Sequence, residues 1–205
     1  ANVLGGTFVA IKTVGRRSDD MVVKDNVAMK CAFGENPKGA FGQMGGKAPV
    51  TRMATAAMLR ELLMKSRNYL EAKEAGKEPN FDMKLEAMIP VIKKEIPLKA
   101  HAHRADDIFT AIRIAKEFGV RSCLCYEVSD RDGEEKCLQG IKENADFITY
   151  CEKEQDPMLK AMFGGHALFT ISDKTFERMV EANAGRTGFH IHVSEGMDDV
   201  YDSLR

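Results

Sequence analysis

Ile96-Pro97-Leu98-Lys99-Ala100-His101-Ala102-His103 runs directly into Arg104-Ala105-Asp106-Asp107-Ile108-Phe109-Thr110-Ala111-Ile112-Arg113-Ile114-Ala115-Lys116-Glu117-Phe118-Gly119. The first half reads as a strand over residues 96–103. In the second, Ile108, Ala111, Ile112, Ala115 and Phe118 fall on one stripe at helical spacing. Asp106 or Asp107 is the expected N-cap and Gly119 the expected stop. A strand feeding an amphipathic helix is the repeating unit of parallel α/β sheets.

The same rhythm extends both ways. Upstream, residues 21–31 (MVVKDNVAMKC) read as a strand, followed by a Gly/Pro-rich loop to Pro49. Thr51 then caps a long helix carrying Leu59, Leu62, Leu63 and Leu70 and stopping at Gly76. Asp82 caps a shorter helix that Pro90 kinks or ends. Downstream come a strand over 122–128, a helix over 134–154, a strand over 161–171, a helix from Ser172 to near Gly185 and a strand over 187–193. The expected class is α/β, with a parallel sheet of about five or six strands and crossover helices. Spacing alone leaves a barrel and an open doubly wound sheet both open. The chain opens on Ala1 without a start methionine and closes at Arg205 inside what reads as a helix just begun, so a fragment, fusion or engineered mosaic is expected.

Composition excludes several classes. There are 30 Lys plus Arg against 31 Asp plus Glu, so no net field draws the chain to nucleic acid or anionic membrane. No apolar run is long enough to span a bilayer and no signal-peptide pattern opens the chain, which points to the cytoplasm. Five scattered cysteines do not make a disulfide framework, and Cys123-Leu-Cys125 lacks the spacing of a zinc ribbon. A phosphate loop at Gly42–Lys47 fails on Phe41 and Ala48, which stand where glycine and Ser or Thr are required.

All five histidines fall in strand-like segments: His101 and His103, His166, and His190 and His192. Residues i and i+2 of a strand share a face, so each His-x-His offers two imidazoles to one side. Both pairs stand at expected carboxyl ends of strands, where parallel α/β folds gather function. A carboxylate follows each by three residues, Asp106 after His103 and Glu195 after His192. Imidazoles bind zinc and similar ions, and a nearby carboxylate can move protons. The competing reading of each pair is a hydrogen-bonded structural pair.

Residues 1–120, through ANVLGGTFVAIKTVG, FGENPKGAFGQ, PVTRMATAAMLRE and IPLKAHAHRADDIFTAIRIAKEFG, resemble the imidazolonepropionase- and prolidase-like branch of the metal-dependent amidohydrolases. Residues 121–205, through RSCLCYEVSDRDGEE, MLKAMFGGHALFTISD and TGFHIHVSEGMDDVYDSL, resemble the guanine-deaminase and triazine-hydrolase branch, including the selenium-metabolism-associated aminohydrolases. The resemblance implies an incomplete or mosaic parallel (β/α) TIM-barrel-type segment of about five or six strands, made of two βα segments, 1–120 and 121–205. It implies His192 as a metal ligand, Glu195 as proton shuttle and His166 as a substrate contact. It also implies a metal ligand at His101 or His103; His190, the other imidazole of the second His-x-His pair, is a further candidate ligand from its place on the strand. In some relatives a carboxylated lysine ends the fourth strand; Lys30 stands near that place, and a solvated lysine is the simpler reading. The family's first-strand His-x-His, sixth-strand His and eighth-strand Asp have no counterpart in these 205 residues. Both His-x-His pairs here match the same fifth strand.

Two functions are therefore expected. One is hydrolysis of a C–N bond in a cyclic amide, amidine or aminated ring by water activated on a divalent metal: zinc, with iron or manganese as alternatives. The other is a non-catalytic α/β module or barrel fragment with an incomplete metal site. A small-molecule substrate and a homo-oligomer or complementing chain are the expected partners, since too few strands leave sheet edges to cover.

Overall fold

A computed structural model describes residues 2–43, 45–102, 104–193 and 196; the helix expected at 201–205 lies outside them. The chain divides into two compact units, Ala1–Ser122 and Cys123–Arg205.

In the first unit, β1 (Leu4–Ile11) and the single-turn α1 (Ser18–Met21) precede β2 (Val22–Ala32). A short α2 (Glu35–Lys38) and a wide turn over Gly39–Gln43 lead to α3 (Arg52–Glu74), α4 (Met83–Ile92), β3 (Leu98–His101) and α5 (Ala105–Phe118). β2 and β3 pair in parallel, Met29 opposite Leu98 and Ala32 opposite His101. β1 joins β2 antiparallel, with irregular register. The sequence pattern did not announce β1: Gly5, Gly6 and Thr7 are exposed and dilute the apolar alternation, as an edge strand with little to bury allows.

The capping logic holds at three helices. Thr51 Oγ1 accepts from Ala54 N at 3.0 Å, Asp82 Oδ1 from Lys84 N at 2.8 Å, and Ser172 Oγ from Thr175 N at 3.3 Å. α3 buries Leu59 and Leu63, each stabilising by about 1.5–3 kcal/mol through removal from water. Pro90 lies inside α4, two residues before its end, so the helix stops soon after its missing N–H. At α5 the expectation needs correction: Arg104 is the N-cap residue, and Asp106 and Asp107 sit in the first turn. Carboxylates there favour the positive end of the helix dipole. Asp107 is also buried, against the Arg52 guanidinium 3.1 Å away. Gly119 closes the helix in the left-handed conformation, as expected.

The second unit holds β4 (Ser122–Leu124, starting at the boundary), α6 (Glu134–Glu154), β5 (Leu159–Ala161), β6 (Phe163–Ala167), a 3-10 turn (Leu168–Thr170), α7 (Asp173–Asn183) and β7 (Phe189–His192). β6 and β7 run parallel. Two expected strands are shorter than the sequence implied. The ladder over 122–128 stops at Leu124, because the Asn144 amide takes both the N–H and the carbonyl of Tyr126. Val128 rejoins through one parallel bridge to Gly165. The stretch 161–171 breaks at Met162 and turns after Ala167, where the Thr170 hydroxyl bonds Ala167 N and O, a local alternative to a strand ladder.

Each unit has its own core. Met29, Phe33, Leu59, Leu63, Met88 and Val91 lead the first; Val128, Ile141, Ile148, Phe163 and Met179 the second. Strands interleaved with helices, largely parallel and too few to close eight, make this a mixed α/β fold of the incomplete TIM-barrel type. No helix among the described residues is long and apolar enough to cross a membrane.

Candidate metal centre

The second unit gathers its chemistry on one face of β6 and β7. A side chain at Gly165 would meet Ile171, Ile191 and Met179, so that position and Ile191 face the core. Strand alternation then turns Gly164, His166, His190 and His192 to the other face. The rings agree: the centroids of His190 and His192 are 5.6 Å apart, and those of His166 and His192 are 6.0 Å apart. The segment after β4 lies along β6, with Val128 N donating to Gly164 O at 3.2 Å and His166 N to Val128 O at 2.9 Å. Val128 fills the core, and its neighbour Glu127 joins the histidine face.

Glu127, His190 and His192 are the outcome. Their ligand atoms all lie within 4.8 Å of one another, and all three residues are half-buried. His192 Nε2 is 3.5 Å from Glu127 Oε1, long for a strong hydrogen bond. Two ligands of one tetrahedral zinc ion at ordinary bond lengths stand about 3.3 Å apart, so little side-chain movement is needed. Two imidazoles and a carboxylate are also a donor set that zinc and ferrous iron both accept. The residues fit a divalent ion.

Glycine makes the approach possible. A Cβ on Gly164 would overlap the Tyr126 carbonyl and press on Cys125, so any larger residue would push the Glu127 segment off β6. Asn144 pins the same segment from below: its Oδ1 accepts from Tyr126 N at 3.0 Å and Gly164 N at 3.1 Å. His166 Nδ1 lies 3.1 Å from Thr170 Oγ1.

The other predicted site residues fall elsewhere. His101 ends β3 in the first unit, with Asn36 Nδ2 3.0 Å from its Nε2, and is not a member of the three-residue group. His103 and Glu195 lie outside the described residues. Asp106 is exposed in the first turn of α5. Lys30 sits on β2 opposite Lys99 of β3. Among the described residues no disulfide forms, and Cys123 and Cys125 are half-buried rather than buried. Burial pushes the Cys31 thiol up to about 12, which keeps it an inert core group.

Glu127 was not singled out from sequence. Its signal was there: a carboxylate at the carboxyl end of a strand, alternating with the core residue Val128. What hid it is the lack of any regular spacing to the histidines, more than 60 residues on, which only the β6–β7 pairing brings close.

Comparison with known proteins places this geometry. No family model matches the chain. It is 36% identical over 100 residues to a 5'-deoxyadenosine deaminase of Methanobrevibacter smithii, covering 48% of this chain and 22% of that protein. It is 33% identical over 90 residues to a 5-methylthioadenosine/S-adenosylhomocysteine deaminase of Thermococcus sibiricus, covering 43% and 21%. The crystal structure of an amidohydrolase from Thermotoga maritima superposes with a TM-score of 0.68 at 30% identity, over 98% of this chain and 50% of that one. The chain thus spans about a fifth of these deaminases and half of that amidohydrolase. Sequence and fold together support a broad assignment to the metal-dependent amidohydrolase and deaminase superfamily. They do not single out a branch within it.

Proposed function

We propose that the chain is an amidohydrolase-type scaffold segment with a divalent-metal seat at Glu127, His190 and His192, and that it is incomplete as a hydrolytic centre on its own. The observation that carries this is the convergence of those three donors on one face of the second unit. An ion held there would act as a Lewis acid and make a coordinated water acidic near neutral pH. The protein's own share would be to fix the ion with two imidazoles and one carboxylate. His166, beside His192, would contact a ligand. What supports the incompleteness is the ligand group among the described residues, two histidines and one carboxylate, in a chain spanning half of a similar amidohydrolase. A second copy or a complementing chain would supply the rest. Residues 1–120 and 121–205 form two amidohydrolase-like segments from different branches, and zinc is the preferred ion ahead of iron and manganese.

A second reading is hydrolysis by the chain itself, with Glu195 as proton shuttle and a small aminated ring as substrate. Its support is the pair of similar proteins described as deaminases of adenosine derivatives. One experiment separates the two. The chain, purified without a histidine tag, is analysed for metal and then incubated with 5'-deoxyadenosine and 5'-methylthioadenosine while ammonia is measured. Bound metal at one ion per chain without ammonia is the expected result. Ammonia release that disappears in His192→Ala would establish the second reading, and no metal after incubation with excess zinc would overturn the first.

A further inference from the structure

Resting on the metal seat read above, we propose that Asn144 is a positioning residue for it. The Asn144 amide sets the reach of Glu127 toward the histidine strand, and zinc affinity depends on that amide through Glu127.

Asn144 lies on the buried stripe of α6, in step with Cys137, Ile141 and Ile148, and is 1% exposed. A polar side chain on a core stripe is destabilising unless its groups are bonded. Here both ends of the amide are engaged. Oδ1 accepts from Tyr126 N at 3.0 Å and from Gly164 N at 3.1 Å. Nδ2 donates to Tyr126 O at 2.9 Å and to Gly140 O at 3.2 Å, with Gly164 O 3.4 Å away. A backbone N–H only donates and a carbonyl only accepts, so these partners fix which end of the amide faces which.

The same partners bear on the seat. The Tyr126 carbonyl belongs to the peptide that leads into Glu127, so its bond to Nδ2 holds the plane from which the Glu127 residue departs. Gly164 stands opposite His190 in the β6–β7 register. One amide therefore ties the approach to the carboxylate donor to the residue paired with an imidazole donor. On the far side of Glu127 a strand ladder acts alike: Val128 N donates to Gly164 O, and Val128 O accepts from His166 N. On the near side β4 has ended at Leu124, and Asn144 bonds Tyr126 where a neighbouring strand would. A working metal site holds its ligands to within about 0.5 Å, so slack on the near side reaches the ion through the carboxylate.

A double-mutant cycle tests this through zinc, with affinity read by competition against a chelating dye on chain without a histidine tag. Asn144→Ala is expected to lower zinc affinity by about 10–100-fold, the range for losing an outer partner of a ligand. In a Glu127→Ala background the same change has no carboxylate left to position, and its effect should stay within about 2-fold. A general loosening of the fold would instead cost the same factor in both backgrounds. That outcome, or wild-type affinity in Asn144→Ala, overturns the proposal. Wild type that takes up no zinc, or Glu127→Ala that binds zinc as wild type does, overturns the metal reading itself and this inference with it. If Asn144→Ala fails to fold by circular dichroism, amide exchange in wild type decides. The Tyr126 and Gly164 N–H groups exchange when the Asn144 bonds open, and zinc at a hundred times its dissociation constant should slow both by at least about 10-fold. Unchanged exchange at either amide overturns the proposal.

Discussion

His192 and His166 stand side by side, yet only one belongs to the three-donor group, and a metal titration reads that difference. His192→Ala is expected to lower zinc affinity by more than the roughly 10–100-fold that losing an outer partner of a ligand costs. His166→Ala should fall within that range or below it. Equal bound metal in the two variants, by elemental analysis at matched zinc, would remove His192 from the ligand set. Glu127→Gln carries the corresponding test of the carboxylate, and affinity unchanged from wild type would remove Glu127. Asn144 bears on the same site through the backbone. Asn144→Ala would remove the acceptor of the Tyr126 and Gly164 N–H groups, at about 1–3 kcal/mol for the buried Gly164 N–H and less for the part-buried Tyr126 N–H. Urea unfolding should show a loss of at least about 1 kcal/mol, and a loss below about 0.5 kcal/mol would mean that the backbone finds other partners. At this scale the sequence was legible for histidines, whose pairing at i and i+2 is local. It was not legible for Glu127 or Asn144, whose roles come from strand pairing and from a carbonyl far along the chain.

Asp130 shows how one carboxylate ties two elements together. Its Oδ2 accepts from Ser172 N at 2.6 Å and its Oδ1 from the Thr175 hydroxyl at 2.7 Å, joining the segment after β4 to the start of α7. Burial pushes this carboxyl up, but the Ser172 and Thr175 hydrogen bonds outweigh it and hold it below its ordinary 3.8. A carboxyl lowered by folding adds stability above its ordinary value, and that stability is lost as pH falls through 3.8 toward the folded value. Urea midpoints measured from pH 7 down to pH 3 should therefore drop more steeply in wild type than in Asp130→Asn. Parallel curves would show that this carboxylate does not couple to folding. Helix ends were the most readable elements, since Thr51, Asp82 and Ser172 act within three residues of themselves. Strand ends were the least readable. β6 stops where Thr170 captures Ala167, and β4 stops where Asn144 replaces a neighbouring strand; neither interaction leaves a periodic trace.

For the whole molecule, alternation of strand and helix was enough to identify an α/β chain with parallel pairing, because such pairing requires crossover helices of the length seen at α5 and α6. The incomplete-barrel type came from the family resemblance and not from spacing. The antiparallel β1 escaped that reading, having almost no apolar period of its own. Alternation also does not tell which histidine strands share an ion, and here the two units differ in a measurable way. The donor group lies wholly within the second unit, while His101 in the first is engaged with Asn36. An ion that binds only the folded state stabilises it by mass action, about 2.7 kcal/mol at a hundred times its dissociation constant. Local opening is suppressed first where the ion is held. Hydrogen exchange with and without zinc should therefore show new protection around Glu127, β6 and β7, and none around β3 or α2. Protection that also covers His101 and Asn36 would mean that both histidine strands hold the metal, and the three-donor seat would have to be redrawn with His101 included.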